Sequence, residues 1–158
     1  MTDTPLPDPA PHAARRHWMS VLARAGATEI AALLANIPAL PPHVRLRGPE
    51  AGLIMLRGRA GGGGAAFNLG EMTVTRCSVR IADGPVGHAY VAGRDGSQAE
   101  LAALLDAALQ QAALHDALQA AVIAPLAARQ QEARDATARR AAATRVDFFT
   151  MATMRTTE

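Results

Sequence analysis

Glu71-Met72-Thr73-Val74-Thr75-Arg76-Cys77-Ser78-Val79-Arg80-Ile81 is the stretch that decides the fold. Successive side chains of an extended chain point to opposite faces, so Thr75, Cys77, Val79 and Ile81 share one side and Arg76, Ser78 and Arg80 the other. One apolar face and one polar face describe a strand of an antiparallel sheet whose inner side is covered. On either side lie further strand-like segments, at residues 43–47, 53–59, 67–69 and 86–92. They are separated by turn chemistry at Gly48-Pro49-Glu50-Ala51-Gly52, by the glycine run 61–64 and by Asp83-Gly84-Pro85. The expectation is an antiparallel sheet of four to five strands, with Val44, Leu46, Ile54 and Leu56 as further inward positions. Cys77 is expected to point into the core as a small hydrophobe.

Helical patterns flank this region. Trp18, Val21, Leu22 and Ala25 fall at helical spacing, and Ile30, Leu33, Leu34 and Ile37 repeat it. Gly26 and Thr28 divide the two sets, with Thr28 as N-cap of the second, and Pro38, Pro41 and Pro42 end helical structure. After the sheet, Ser97-Gln98-Ala99-Glu100 has the spacing of a capping box. Leu101, Leu104, Leu105, Ala108 and Ala112 form an apolar stripe behind it, and the pattern runs to about Ile123 with a break near His115-Asp116. Pro125 interrupts it, and a last helix fits residues 126–143, where no bulky apolar residue follows Leu126. The fold class is therefore α+β, with N-terminal and C-terminal helices covering one face of the sheet. The organisation expected is a disordered, proline-rich leader over 1–12, a single α+β domain over 13–144, and a C-terminal tail over 145–158 docked at an interface.

Composition narrows the function. The chain has 158 residues, 49% hydrophobic and 19% charged, which fits one folded domain and is too apolar for a disordered chain. Aromatic residues are 3% of the chain, namely Trp18, Phe67, Tyr90, Phe148 and Phe149, so the core is aliphatic and alanine-rich. All 16 basic residues are arginine, a bias that, like the alanine excess, points to codon usage before selection at individual sites. The formal net charge of +2 permits an anionic partner without requiring one. A single cysteine gives no disulfide framework and fits a reducing compartment. No run approaches the roughly 20 apolar residues of a membrane span, and the N-terminus lacks the apolar core of a signal peptide. The expected location is the cytoplasm.

A catalytic constellation is not legible. The glycine run 61–64 is followed by Ala65-Ala66-Phe67 in a chain without lysine, so it is a hairpin linker and not a phosphate loop. His12, His17, His43, His88 and His115 have no metal-ligand spacing, and Cys77 has no cysteine partner. Cys77 in mid-strand is badly placed for a nucleophile, and Ser20 and Ser78 lack a nucleophile elbow. Asp83, Asp95, Glu100, Asp106 and Asp116 have ordinary structural settings. The strongest electrostatic signal is a set of arginines: Arg45 with Arg47, Arg57 with Arg59, and Arg76 with Arg80. If their strands align, six guanidiniums crowd one surface suited to a triphosphate, a nucleic acid backbone or an acidic protein. The aromatic interleaving of a nucleic-acid platform is missing, which makes nucleic acid the weakest of these. The tail carries Val146, Phe148, Phe149 and Met151, an apolar cluster that calls for an interface.

Four segments resemble a known family. Arg16-His17-Trp18-Met19-Ser20-Val21-Leu22-Ala23 is similar to the N-terminal helix of the PhnG subunits of the bacterial carbon–phosphorus lyase system. Gly70-Glu71-Met72-Thr73-Val74-Thr75-Arg76-Cys77 with Val79-Arg80 resembles their central strand. Val91-Ala92-Gly93-Arg94-Asp95, leading to Ala99-Glu100 and Leu104-Leu105-Asp106-Ala107, resembles their strand-to-helix junction. Thr144-Arg145-Val146-Asp147-Phe148-Phe149-Thr150-Met151 resembles their C-terminal signature. Ala152-Thr153-Met154 departs from the family's usual Val-Arg-Gly, and the glycine run is more monotonous than is common there.

The resemblance implies an accessory, non-catalytic subunit of a transferase complex in phosphonate catabolism, working with PhnH, PhnI, PhnJ and PhnL. That complex uses ATP, releasing adenine as the ribose triphosphate passes to a phosphonate. It implies no cofactor or metal bound by this chain and no membrane. Two other readings stand beside it. One is a free-standing arginine-rich module that binds anions or nucleotides. The other is an enzyme in its own right, which needs His88, Tyr90, Arg94 and Asp95 to converge on a pocket.

Overall fold

The computed structural model describes residues 10–59, 64–82 and 84–146. The elements run α1 (Ala10–Leu22), α2 (Ala27–Leu34), β1 (His43–Gly58), β2 (Phe67–Ile81), β3 (Val86–Ala92), α3 (Gly96–Leu109), α4 (Ala112–Leu118), a π-helical segment (Gln119–Ile123) and α5 (Ala124–Ala143). The described residues fall into two compact units that meet within α5, one ending at Ala127 and the other beginning at Ala128.

The class is α+β, and among the described residues the sheet has three strands in the order β1-β2-β3, all antiparallel. The four to five strands expected reduce to three because two pairs of strand-like segments are each one continuous strand. Gly48-Pro49-Glu50-Ala51-Gly52 does not turn the chain. It lies inside the 16-residue β1, where the register shifts between Arg45 and Arg47 and again between Arg47 and Glu50. β1 is an edge strand, where a bulge tolerates a proline that could not serve a central ladder. Residues 67–69 likewise continue into β2 without a break.

Alternation along β2 is as expected on the inner side: Thr75, Cys77, Val79 and Ile81 are all buried. Cys77 is an inward thiol that donates to the Arg47 carbonyl at 3.4 Å, and burial raises its pKa. β1 differs. Val44 pairs with Arg80, Ile54 with Met72 and Leu56 with Gly70, which puts all three on the face opposite Cys77. Val44 and Leu46 are 56% and 48% exposed, so they are not core positions. The two bulges near Arg45 and Arg47 cancel each other in the alternation, so Val44 before them and Ile54 and Leu56 after them share one face, and strand pairing with Arg80, Met72 and Gly70 makes it the outer one.

α3 is the hub of the core. It packs on the inner side of the sheet, and α1, α2 and α4 pack against α3. Residues 102–109 are buried without exception, so the single apolar stripe expected of α3 is replaced by burial all round. The alanines of this helix therefore have a packing role. Ala99, Ala103, Ala107 and Ala108 are fully buried, and their small size lets the helix approach the sheet closely. Trp18, Val21, Leu22, Ala25 and Ile30 complete the core from the other side.

Local signals at helix ends are displaced. The N-cap of α2 is Gly26 and not Thr28. The N-cap of α3 is Asp95, whose carboxylate accepts the Gln98 amide at 2.9 Å, so the capping box read at Ser97 is not used. Asp95 meets the chain first and offers the stronger, charged acceptor. The break expected at His115-Asp116 lies at Gln110-Gln111, between α3 and α4. Pro125 does not stop the helix. It sits in the first turn of α5, behind the π-helical segment, and the wider turn accommodates a residue that lacks an amide proton. From Ala128 onward no described residue is buried.

Candidate functional site

The outer face of the sheet, opposite α3, is where exposed polar and aromatic side chains gather. β2 and its neighbours lay them out in rows. Ser78 lies between Arg47 and His88, Arg76 lies between Glu50 and Tyr90, and Arg80 lies between Val44 and Val86. Glu50 accepts from Arg76 Nε at 2.7 Å and also pairs with Arg47. Its partial burial raises the carboxyl pKa, but the hydrogen bonds from Arg76 and Arg47 outweigh that and hold it below 4.5. Arg76 is raised in turn, by Glu50 first and then by Tyr90. Ser78 Oγ and His88 Nδ1 share a hydrogen bond of 2.9 Å. Tyr90 is 54% exposed.

The six arginines do not gather on one surface. Arg47, Arg76 and Arg80 share the outer face. Arg45 pairs with Val79, on the α3 side, and the bulge that follows it turns Arg47 to the outer face, which separates the two. Arg45 forms two hydrogen bonds with Glu100 of α3, from Nε at 2.7 Å and Nη2 at 2.8 Å, while His43 Nε2 lies 3.2 Å from the same carboxylate. Arg57 lies farther along β1 opposite Asn68 and donates to the Ala66 carbonyl at 3.4 Å, and Arg59 follows the end of that strand. Two of the three arginines on the outer face share one carboxylate, so this is a flat, mixed surface and not a phosphate cradle.

The residues weighed for an enzyme do not converge either. Asp95 is spent on the cap of α3. Arg94 lines a shallow hollow with Ala51, Gly52, Leu53 and Thr73, apart from the hollow that His88 and Tyr90 line with Met19 and Leu22. Among the described residues, no three His, Cys, Asp or Glu side chains gather where they could hold a metal ion. No helix among them is long and apolar enough to cross a membrane. Of the tail cluster, Val146 is 67% exposed, while Phe148, Phe149 and Met151 lie outside the described residues.

Glu100 supplies a test of this electrostatic layout. The Arg45 hydrogen bond lowers its pKa below 4.5, burial opposes that, and His43 adds to the lowering. A carboxylate lowered in the folded state stabilises above its unfolded pKa, and that contribution is lost as pH falls through the folded value. Glu100→Gln should therefore lower the urea midpoint at pH 7. The gap from the wild type should close as the pH falls through the lowered Glu100 value, below the ordinary carboxylate range.

Sequence reasoning passed over two features. The first is Asp106, whose carboxylate is 1% exposed. It accepts Arg15 Nε at 3.1 Å and Trp18 Nε1 at 2.9 Å on one oxygen, and Arg15 Nη2 at 2.7 Å and the His88 amide at 2.9 Å on the other. Its signal was a single charge inside Leu104-Leu105-Asp106-Ala107-Ala108-Leu109. The second is Leu53-Ile54-Met55-Leu56, four apolar residues in succession where a half-covered strand would alternate.

Two of the four segments that carry the family resemblance meet at Asp106. Trp18 comes from the first and Asp106 from the third, and the Asp106 carboxylate joins them. The family model described as phosphonate metabolism protein PhnG matches residues 13–154. The chain belongs to the PhnG family. It is 47% identical over 144 residues to the alpha-D-ribose 1-methylphosphonate 5-triphosphate synthase subunit PhnG of Rhizobium meliloti strain 1021, covering 91% of this chain and 92% of that protein. The PhnG match takes in the whole sheet, α3 and the Asp106 cluster, and it reaches into the tail, so the fold described above is that of a phosphonate metabolism protein.

Proposed function

We propose that this chain is an accessory subunit of a ribose 1-methylphosphonate 5-triphosphate synthase. The observation that carries the proposal is its 47% identity, over nearly its full length, to a subunit of that enzyme. In the reaction, a phosphonate oxygen bonds to C1 of the ATP ribose and the bond from C1 to adenine breaks, so adenine leaves and the triphosphate stays on the sugar. ATP belongs to the complex, and this chain holds no cofactor of its own. The partners are PhnH, PhnI, PhnJ and PhnL in the cytoplasm.

The geometry supports an accessory role. Ser78 and His88 are hydrogen-bonded, but among the described residues the hollow that His88 lines with Met19, Leu22, Ala89, Tyr90 and Val91 brings no carboxylate to orient that pair. The outer face of the sheet suits protein contact: Tyr90 and Arg76 lie side by side, and aromatic and arginine residues dominate interface energetics. Arg47, Arg76 and Arg80 would meet an acidic patch, and Val146, Phe148, Phe149 and Met151 would anchor the tail on a neighbouring subunit. The dispersal of the six arginines removes the ground for a free-standing anion-binding module. Deleting the gene should abolish growth on methylphosphonate as sole phosphorus source and leave growth on inorganic phosphate unchanged. Undiminished growth on methylphosphonate would overturn the proposal.

A further inference from the structure

β3 pairs with β2 only between Val74 and Arg80. Beyond that point the Gly93 amide still donates to the Thr73 carbonyl at 2.9 Å, but among the described residues β1 is the only strand that pairs with β2, and the two continue as a ribbon formed by residues 53–58 and 67–73. Two strands with nothing packed on them are marginal in water, yet this ribbon carries large apolar side chains on both sides. Leu53 and Met55 lie on one face, 63% and 52% exposed, and Leu69 on the ribbon is 57% exposed. Ile54 and Met72 face each other on the other side, joined by Leu56 at 38%. A strand apolar on both faces is the pattern of one buried on both.

We propose that this ribbon inserts into a cleft of another protein subunit, apolar on both walls and rimmed by carboxylates. Two observations fix the occupant. A two-fold contact with a second copy covers one and the same patch on each partner, which would leave the opposite apolar face of the ribbon in water, whereas a cleft covers both. The charges point the same way. Arg57 and Arg59 sit at the tip and Arg94 at the base beside Leu53, against Glu71 alone on the ribbon. Among the described residues none of these three arginines is in an ion pair. Two such ribbons would repel each other, and an acidic rim would attract one. The inference rests on the subunit reading in a single respect, that the partner belongs to the same assembly.

The test is co-expression of the full chain with PhnH, PhnI, PhnJ and PhnL, with affinity measured for variants on each face. Leu53→Ser and Leu56→Ser should each weaken assembly at least tenfold, as should Arg57→Glu combined with Arg59→Glu. The far-ultraviolet circular dichroism of the isolated chain should stay unchanged, because these side chains are exposed. Amide exchange on the wild-type assembly should show protection at residues 53–57 and 67–72. Wild-type affinity in these variants, or an unprotected ribbon in an assembly that forms, overturns the inference and leaves the subunit reading standing. Sensitivity on one face alone, or a dimer of the isolated chain that Leu53→Ser dissociates, overturns the cleft. No assembly of the wild type at all overturns the subunit reading itself.

Discussion

Replacing Asp106 with alanine should lower the unfolding free energy by about 3 kcal/mol, and with it the melting temperature by on the order of 10 °C. The carboxylate holds three elements together: Arg15 and Trp18 from α1, the His88 amide from β3, and its own helix α3. Removing it strands donors that differ in their means of escape. Arg15 is 31% exposed and can turn to water. The Trp18 indole, in a residue only 5% exposed, has no such route, and an unsatisfied buried donor costs about 1–3 kcal/mol; the His88 amide is part-buried and loses its acceptor as well. Asp106→Asn keeps the shape but presents an NH2 group to donors that need an acceptor, so most of the loss should remain. Trp18→Phe removes one donor and leaves the carboxylate three others, and should cost nearer 1 kcal/mol. Urea unfolding of the three variants checks the order. Equal losses for Trp18→Phe and Asp106→Ala would show that indole packing, not the carboxylate, holds α1 in place.

Gly87→Ala should be as damaging, at about 3 kcal/mol or more, for a steric reason. β3 lies directly against the backbone of α3 at this residue. A β-carbon there would fall inside the van der Waals radii of the Ala103 carbonyl and the Ala107 amide nitrogen, and 2.9 Å from the Ala107 methyl. The first two are backbone atoms and cannot rotate away, so the helix itself must lift from the sheet. Lifting it would loosen the contacts of Val79, Ala89 and Val91, all buried in the same core, and the His88 amide bond to Asp106 beside it. Gly48→Ala is the control. No heavy atom lies within 4 Å of a β-carbon there, and a change within about 0.5 kcal/mol is expected. Similar urea midpoints for Gly87→Ala and the wild type would mean that α3 does not sit so close to β3.

Much of the fold was legible because its signals are local and periodic. The inner face of β2 shows in strict alternation. The last strand, at residues 86–92, has the bounds found for β3. Trp18, Val21, Leu22 and Ala25 mark the buried face of the first helical region by spacing alone. The family was legible from four ordered segments that span most of the chain, and the family match and the relative bear it out. Where two signals competed, local reading chose wrongly. Gly48-Pro49 is good turn chemistry, but a long antiparallel ladder runs through it at the price of two bulges. Ser97 and Glu100 have capping-box spacing, but Asp95 reaches the first turn before them and Glu100 is drawn to Arg45.

The candidate surface divides along the same line. Residue types announced an arginine-rich sheet face and an apolar chain end. Which arginines share a face depends on register, and a bulge near Arg45 changes it, which residue spacing cannot reveal. The Asp106 cluster joins residues separated by 88 and 91 positions, so only folding could assemble it. The exposed ribbon follows from where β3 stops pairing. The sequence by itself determined the class, the inner face of the central strand, the two helical regions and the PhnG family, because each is written in neighbouring residues. The tertiary structure alone decided the number of strands, the partners of each charge and the surface left uncovered, because hydrogen-bond register and helix-to-sheet contact are settled between segments far apart in the chain.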